Sequence, residues 1–202
     1  LVAGTALSRN FLFCTCENFG GAFLRNDHNA IHVAEDDIAV THFHAGAFDD
    51  SRVELVIEDG RKYLERIQDR FDVIIVDVND PLEGGPSYML FTLELYQIVT
   101  ERLKKDGIVI VQSGSASISE NDVFTSIYNT LNKVFPHVFP YVTYIPSYAL
   151  PWGFCMATHN PSNLDIPGEE IDARINARIT GNLRFYDSIT HHSLFNLPKY
   201  IR

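Results

Sequence analysis

The chain has 202 residues, 46% of them hydrophobic, enough for one sizeable core and a single domain. Its formal net charge of -10 argues against nucleic acid or an anionic membrane surface as partner and favours a cationic small molecule. Three cysteines, Cys14, Cys16 and Cys155, supply neither a disulfide framework nor paired zinc knuckles, which fits a reducing, cytoplasmic setting.

The start, LVAGTALSRN, has no basic region ahead of its apolar residues and is not expected to be a signal peptide. It also lacks a Met, so residue 1 is expected not to be the natural start. FLFCTC (11–16) reads as a first strand, followed by ENFGG, a short helix, and AIHVAE (30–35) as the next strand. That helix has only a turn or two of sequence, whereas a crossover between parallel strands needs about ten to twelve residues. VELVIE (53–58) is a strand and DGRKYLERIQDR (59–70) a helix, with Tyr63, Leu64 and Ile67 on one side. DVIIVD (72–77) is a strand apolar throughout, as if covered on both faces.

A loop rich in Gly and Pro precedes a helix over FTLELYQIVTERLKK (91–105), ended by Asp106 and Gly107, and GIVIVQSG (107–114) is another strand. Ser119 with Asp122 resembles a helix start leading into VFTSIYNTLNKVF. HVFPYVTYIP and WGFCMATHN read as a closing antiparallel hairpin with a Pro-bearing turn, and from about residue 165 two short surface helices follow. Strands alternating with helices predict an α/β fold, a parallel sheet with helices on its faces.

In such sheets ligands bind beyond the carboxyl ends of the strands, and here those ends carry acids: Glu35 with Asp36 and Asp37 behind it, Asp59, Asp77 and Asp80. A carboxylate has two acceptor oxygens, so Glu35 could take both ribose hydroxyls of a nucleoside, and Asp59 an adenine amine. Asp59 is equally placed to cap the helix that follows, and the two roles are compatible. Asp77 and Asp80 could simply end a strand and open a turn. Two carboxylates this close repel each other unless one is protonated or a cation joins them, and an ammonium guest answers that requirement. Such an acid can also take the guest's proton and make it a nucleophile.

The glycine signal is weaker: only Gly20 and Gly21 follow the first strand, where a nucleotide-binding loop uses several. His42 and His44 have no third ligand at zinc-like spacing, and no metal site is expected. Nothing resembles a GxSxG elbow, which argues against acyl-transfer hydrolysis. Tyr141, Tyr144, Tyr148 and Trp152 are core aromatics by default, although Tyr148 and Trp152, placed in the hairpin turn, could hold an aliphatic cation against their ring faces.

GAFDD, VELVIEDGRKYL, FDVIIVDVNDP, EGGPSYMLFT, ELY, IPSY and LRFYDSITHHSLFNLP together resemble the polyamine aminopropyltransferases, the spermidine synthase family. The EGGP loop and the Trp-Gly after the Tyr are more similar to the thermospermine synthase branch. The resemblance runs from about Gly46 to the end of the chain. It implies a methyltransferase-like Rossmann fold, a mostly parallel twisted sheet with a C-terminal antiparallel hairpin. It also implies transfer of a 3-aminopropyl group from decarboxylated S-adenosylmethionine, a cosubstrate rather than a bound cofactor, to putrescine or spermidine, releasing methylthioadenosine.

By the same resemblance Asp77 deprotonates the attacking amine with Asp80 beside it, and Tyr148 orients that amine. Glu35 or one of its two neighbours, Asp36 and Asp37, holds the ribose, Asp59 and Gly60 read the adenine, and Pro86, Ser87 and Leu90 pack on it; Gly20 and Gly21 stand for the family's GGGxG loop. Residues 1–202 are expected to be one catalytic domain, truncated or degenerate over 1–40, without the family's N-terminal β-domain, and a homodimer is one assembly open to it. Two other readings stay open: a polyamine-binding or regulatory homologue without activity, and a methyltransferase using intact S-adenosylmethionine. The acid pair disfavours the methyltransferase, because it would repel that cosubstrate's own carboxylate.

Overall fold

A computed structural model describes residues 11–15, 22–26, 51, 53–57, 59–81, 87–163 and 166–202. Its strands are β1 (Phe11–Thr15), β2 (Ala22–Asn26), β3 (Glu54–Ile57), β4 (Phe71–Val76), β5 (Leu103–Ser115), β6 (His137–Ile145) and β7 (Leu150–Thr158). They form one sheet in the order β3-β2-β1-β4-β5-β7-β6. The helices are α1 (Gly60–Arg66), α2 (Leu93–Arg102), α3 (Asp122–Leu131), α4 (Gly168–Arg178) and α5 (Ser188–Leu194).

The centre of the sheet is the parallel set β1, β4 and β5. The alternation of apolar strands with amphipathic helices reports this part faithfully, because strands covered on both faces have no polar side to interrupt them. Ile74 and Val76 of β4 and Val109 and Val111 of β5 are buried in one cluster with Tyr63 and Leu64 of α1, Leu95, Tyr96 and Val99 of α2, and Phe124, Ile127 and Leu131 of α3. The hairpin of β6 and β7 closes one side, antiparallel to β5, around a turn that holds Pro146 and ends with Ala149 at φ 53.

The other side departs from expectation. Ala22–Asn26 is not helical but a strand, antiparallel both to β1 and to β3. Only residues 16–21 separate it from β1, and a six-residue connection cannot carry a chain back to the start of a parallel neighbour. The strand expected at 30–35 lies outside the described residues.

Two element boundaries also move. The helix expected to reach Lys105 stops at Arg102, and Leu103 already pairs with Phe71 of β4. Leu103 is buried in the core, Arg102 Nε donates to Leu64 O at 2.9 Å, and Lys104 Nζ meets Asp72 Oδ2 at 2.8 Å. Gly107 does not cap a helix: a Cβ there would stand 2.9 Å from Phe71 O and 3.0 Å from Lys104 O, so glycine serves the close approach of β5 to β4. Ser119 does not cap α3 either; its hydroxyl lies 3.2 Å from Ser117 Oγ, and the cap position is Asn121. Finally, α4 and α5 form the expected pair of outer helices, joined where Ser188 donates to Asp172 through N (3.0 Å) and Oγ (2.7 Å).

Candidate active site

The strand registers bring the sequence-marked residues to one edge of the sheet. Asp77 directly follows β4, whose last residue, Val76, pairs with Val111 of β5. The next position of β5, Gln112, pairs with Phe154 of β7, which pairs with Tyr141 of β6. Asp77, Gln112, Phe154 and Tyr141 therefore stand in one row across the carboxyl edge of the parallel strands. Asp59 lies at that edge too, two residues beyond the end of β3.

Asp77 is exposed at the rim, Val78 turns back into the core, and Asp80 is half-buried. The segment is fastened from two sides. Gln112 Nε2 donates to Val78 O at 3.2 Å and to Asp80 Oδ1 at 3.0 Å, while Ser87 Oγ donates to Asp80 O at 3.2 Å.

Tyr141 stands at the β6 end of this row. Its ring stacks on Phe154 with centroids 5.2 Å apart and leans on Phe195, the residue that caps the end of α5, at 5.4 Å. Burial pushes the Tyr141 hydroxyl well above the ordinary phenol range, and the charge of Cys155, of Asp77 and of Tyr186 would each add to that push. Behind it, burial raises the Cys155 thiol to about 12, against a hydrogen bond with Ser113, so this cysteine is an inert packing group. Tyr186 and His191 close the outer side, with the hydroxyl 2.6 Å from Nδ1.

Tyr148 lies in the hairpin turn, as expected, half exposed. Trp152 does not: it is inside β7, paired with Thr143 and Ser115, and the two rings meet at 4.5 Å between centroids. The Trp152 indole N–H is buried and has no hydrogen-bond partner among the described residues. Asp59 caps α1, accepting from Lys62 N at 2.9 Å, and Gly60 is the buried first residue of that helix. Ser87 and Leu90 are both buried, Ser87 holding Asp80 and Leu90 packing in the core. Glu35, Asp36, Gly20, Gly21 and Pro86, like His42 and His44, lie outside the described residues.

Gln112, Tyr141, Tyr186 and His191 join this edge without having been singled out for it. Gln112 had a signal, a carboxamide at the end of the apolar run IVIV. Tyr186 and His191 fall in LRFYDSITHHSLFNLP, a stretch that carries the family resemblance, but their place at this edge comes from tertiary packing. Among the described residues no group of three His, Cys, Asp or Glu could hold a metal ion, and no helix is long and apolar enough to cross a membrane.

Residues 26–166 match the family model described as Spermine/spermidine synthase domain. Polyamine aminopropyltransferase 2 of Hyperthermus butylicus is 43% identical over 176 residues, which cover 87% of this chain and 57% of that protein. The polyamine aminopropyltransferase of Sulfurisphaera tokodaii is 43% identical over 160 residues, 79% of this chain and 52% of that one. A crystal structure of spermidine synthase in complex with the transition state analogue AdoDATO aligns with TM-score 0.69 at 29% identity, covering 80% of this chain and 53% of the other. Spermidine synthase from Thermotoga maritima aligns with TM-score 0.65 at 27% identity, covering 81% and 53%. The chain thus spans about half the length of the relatives it matches.

Proposed function

This chain belongs to the spermine/spermidine synthase family, and on that premise we propose that it transfers a 3-aminopropyl group from decarboxylated S-adenosylmethionine to a polyamine nitrogen. The observation that carries the reading is the acid pair at the crevice edge, Asp77 exposed at the end of β4 and Asp80 anchored beside it. A polyamine arrives as an ammonium, which two carboxylates attract, and it reacts only after losing a proton. Asp77, at the exposed rim, takes that proton. The amine lone pair then attacks the propyl carbon next to the sulfonium, the C–S bond breaks toward sulfur, and methylthioadenosine leaves. Sulfonium sulfur is a good leaving group, so the protein's main task is to hold a neutral amine in line.

Tyr148 and Trp152 offer ring faces to the aliphatic cation. For the nucleoside, the proposed set is Asp59 and Gly60 with Ser87 and Leu90, together with Glu35, Asp36, Pro86, Gly20 and Gly21. The acceptor is putrescine or spermidine.

The test is release of methylthioadenosine from decarboxylated S-adenosylmethionine with putrescine or spermidine, intact S-adenosylmethionine serving as control. Asp77→Asn is expected to lower turnover by about 10²- to 10⁴-fold, the usual contribution of a general base, with nucleoside affinity unchanged. Normal turnover in that variant would sink the mechanism. Spermidine binding without any release in the unaltered chain would instead favour an inactive polyamine-binding homologue.

A further inference from the structure

Gln112 uses every polar atom of its side chain on the acid-bearing segment and on its own turn. Nε2 donates to Val78 O (3.2 Å) and to Asp80 Oδ1 (3.0 Å), and Oε1 accepts from Gly114 N. A carboxamide nitrogen has two N–H donors, so both are spent on one loop. Gly114 completes the device. Its φ of 77 is the left-handed conformation that favours glycine, and its N–H points back at Gln112. A Cβ at Gly114 would stand 3.4 Å from Asp80 Oδ1 and 3.3 Å from Val123 Cγ1, so the turn packs directly against the carboxylate that Gln112 holds.

We propose that Gln112 is a positioning residue of the amine site, a carboxamide clamp that fixes the rotamer of Asp80 so that its second oxygen, Oδ2, faces the crevice for a substrate ammonium. An Asp side chain free to turn about two bonds must be ordered each time the cation binds; one held by Oδ1 is ordered beforehand. The clamp joins the end of β5 to the loop after β4, so the distance between the two acids is set by the sheet itself. This inference rests on the aminopropyl-transfer reading for the identity of the guest.

The experiment is calorimetric titration of the whole chain with spermidine and, separately, with methylthioadenosine, on the unaltered protein, Gln112→Leu, Asp80→Asn and the double variant. Leucine keeps the bulk of glutamine and adds no charge. Loss of a hydrogen bond to a charged group predicts spermidine affinity about tenfold weaker in Gln112→Leu, with methylthioadenosine affinity unchanged. In the Asp80→Asn background the same substitution is expected to change spermidine affinity less than about twofold, because the carboxylate charge that Gln112 orients for the ammonium is already gone. Gly114→Ala, strained by the positive φ and crowding Val123 Cγ1, disturbs the turn whose N–H holds Gln112 Oε1 and is expected to weaken spermidine in the same way.

Full additivity in the double variant, or equal losses for spermidine and methylthioadenosine, would overturn the clamp and leave Gln112 a structural residue. Spermidine binding undiminished in Gln112→Leu would overturn it as well. An unaltered chain that binds methylthioadenosine but no spermidine would fail the underlying reading and take the clamp with it.

Discussion

Gly153→Ala tests the packing that carries the hairpin. Gly153 pairs with Val142 of β6, and a Cβ there would lie 2.7 Å from Cδ2 and 2.9 Å from both Cε2 and Cγ of Phe124 in α3. Carbon atoms settle about 3.5–4.0 Å apart, so α3 must retreat by about 1 Å or the ring must tip. Phe124 is buried in the main core, but it also borders a cavity of about 240 Å³ lined by Tyr128, Pro140 and Leu197, which gives the ring somewhere to go. Overpacking costs about 1–3 kcal/mol, and that outlet puts the expected loss at about 1–2 kcal/mol. For a chain of this size the corresponding fall in Tm is about 2–8 °C.

The assay is thermal unfolding followed by circular dichroism on Gly153→Ala, Phe124→Leu and the double variant. Trimming the ring makes room for the new methyl group, so the double variant is expected to be more stable than the sum of the single losses by about 0.5–3 kcal/mol. Strict additivity, or a Gly153→Ala protein whose Tm stays within about 1 °C of the parent, would refute the contact.

The two roles of Asp59 separate with Asp59→Ser and Asp59→Ala. Serine keeps a capping oxygen for α1 and should leave stability nearly unchanged while weakening methylthioadenosine, whereas alanine should do both and cost about 0.5–2 kcal/mol. Unchanged methylthioadenosine affinity in the serine variant would make Asp59 a cap alone. The anchoring of α5 should loosen in acid. Burial and the neighbouring His192 hold His191 below the ordinary imidazole value, so the unfolded chain binds more protons just below about pH 6.5 and stability there rises with pH. The hydrogen bonds from Thr190 hold Asp187 low as well, and its contribution, present above the ordinary carboxylate range, is lost as pH falls below about 3.9. Hydrogen-exchange protection of α5 amides, corrected for the intrinsic pH dependence of exchange, should fall in the upper of these windows, and His191→Phe should remove that step; an unaltered pH profile in the variant would contradict it.

The central part of the molecule was legible because its signals are local or periodic. Phe71–Val76 reads as a covered strand from its unbroken apolar run, Tyr63, Leu64 and Ile67 mark the buried side of α1, and Asp77 announces itself as a charge at the end of that strand. The reversal of Ala22–Asn26 was not legible. Its residues permit a helix or a strand, and its direction depends on which strand edge a six-residue connection can reach. Trp152 was misplaced for a similar reason: a proline nearby suggested a longer turn, yet pairing with Thr143 and Ser115 draws it into β7.

Composition, strand ends and motif spacing by themselves determined the α/β class and raised the expectation of a cationic guest. They also located the pair Asp77 and Asp80, because charge beside an apolar strand is costly wherever the strand lies. Only tertiary structure decided what surrounds that pair. Gln112 is 32 residues from Asp80 in sequence and 3.0 Å from it in space, and Tyr141 stacks on Phe154 of the neighbouring strand and leans on Phe195 at the end of α5. Such contacts arise from strand register and helix docking, which depend on packing over the whole sheet and leave no mark in the spacing of any single segment.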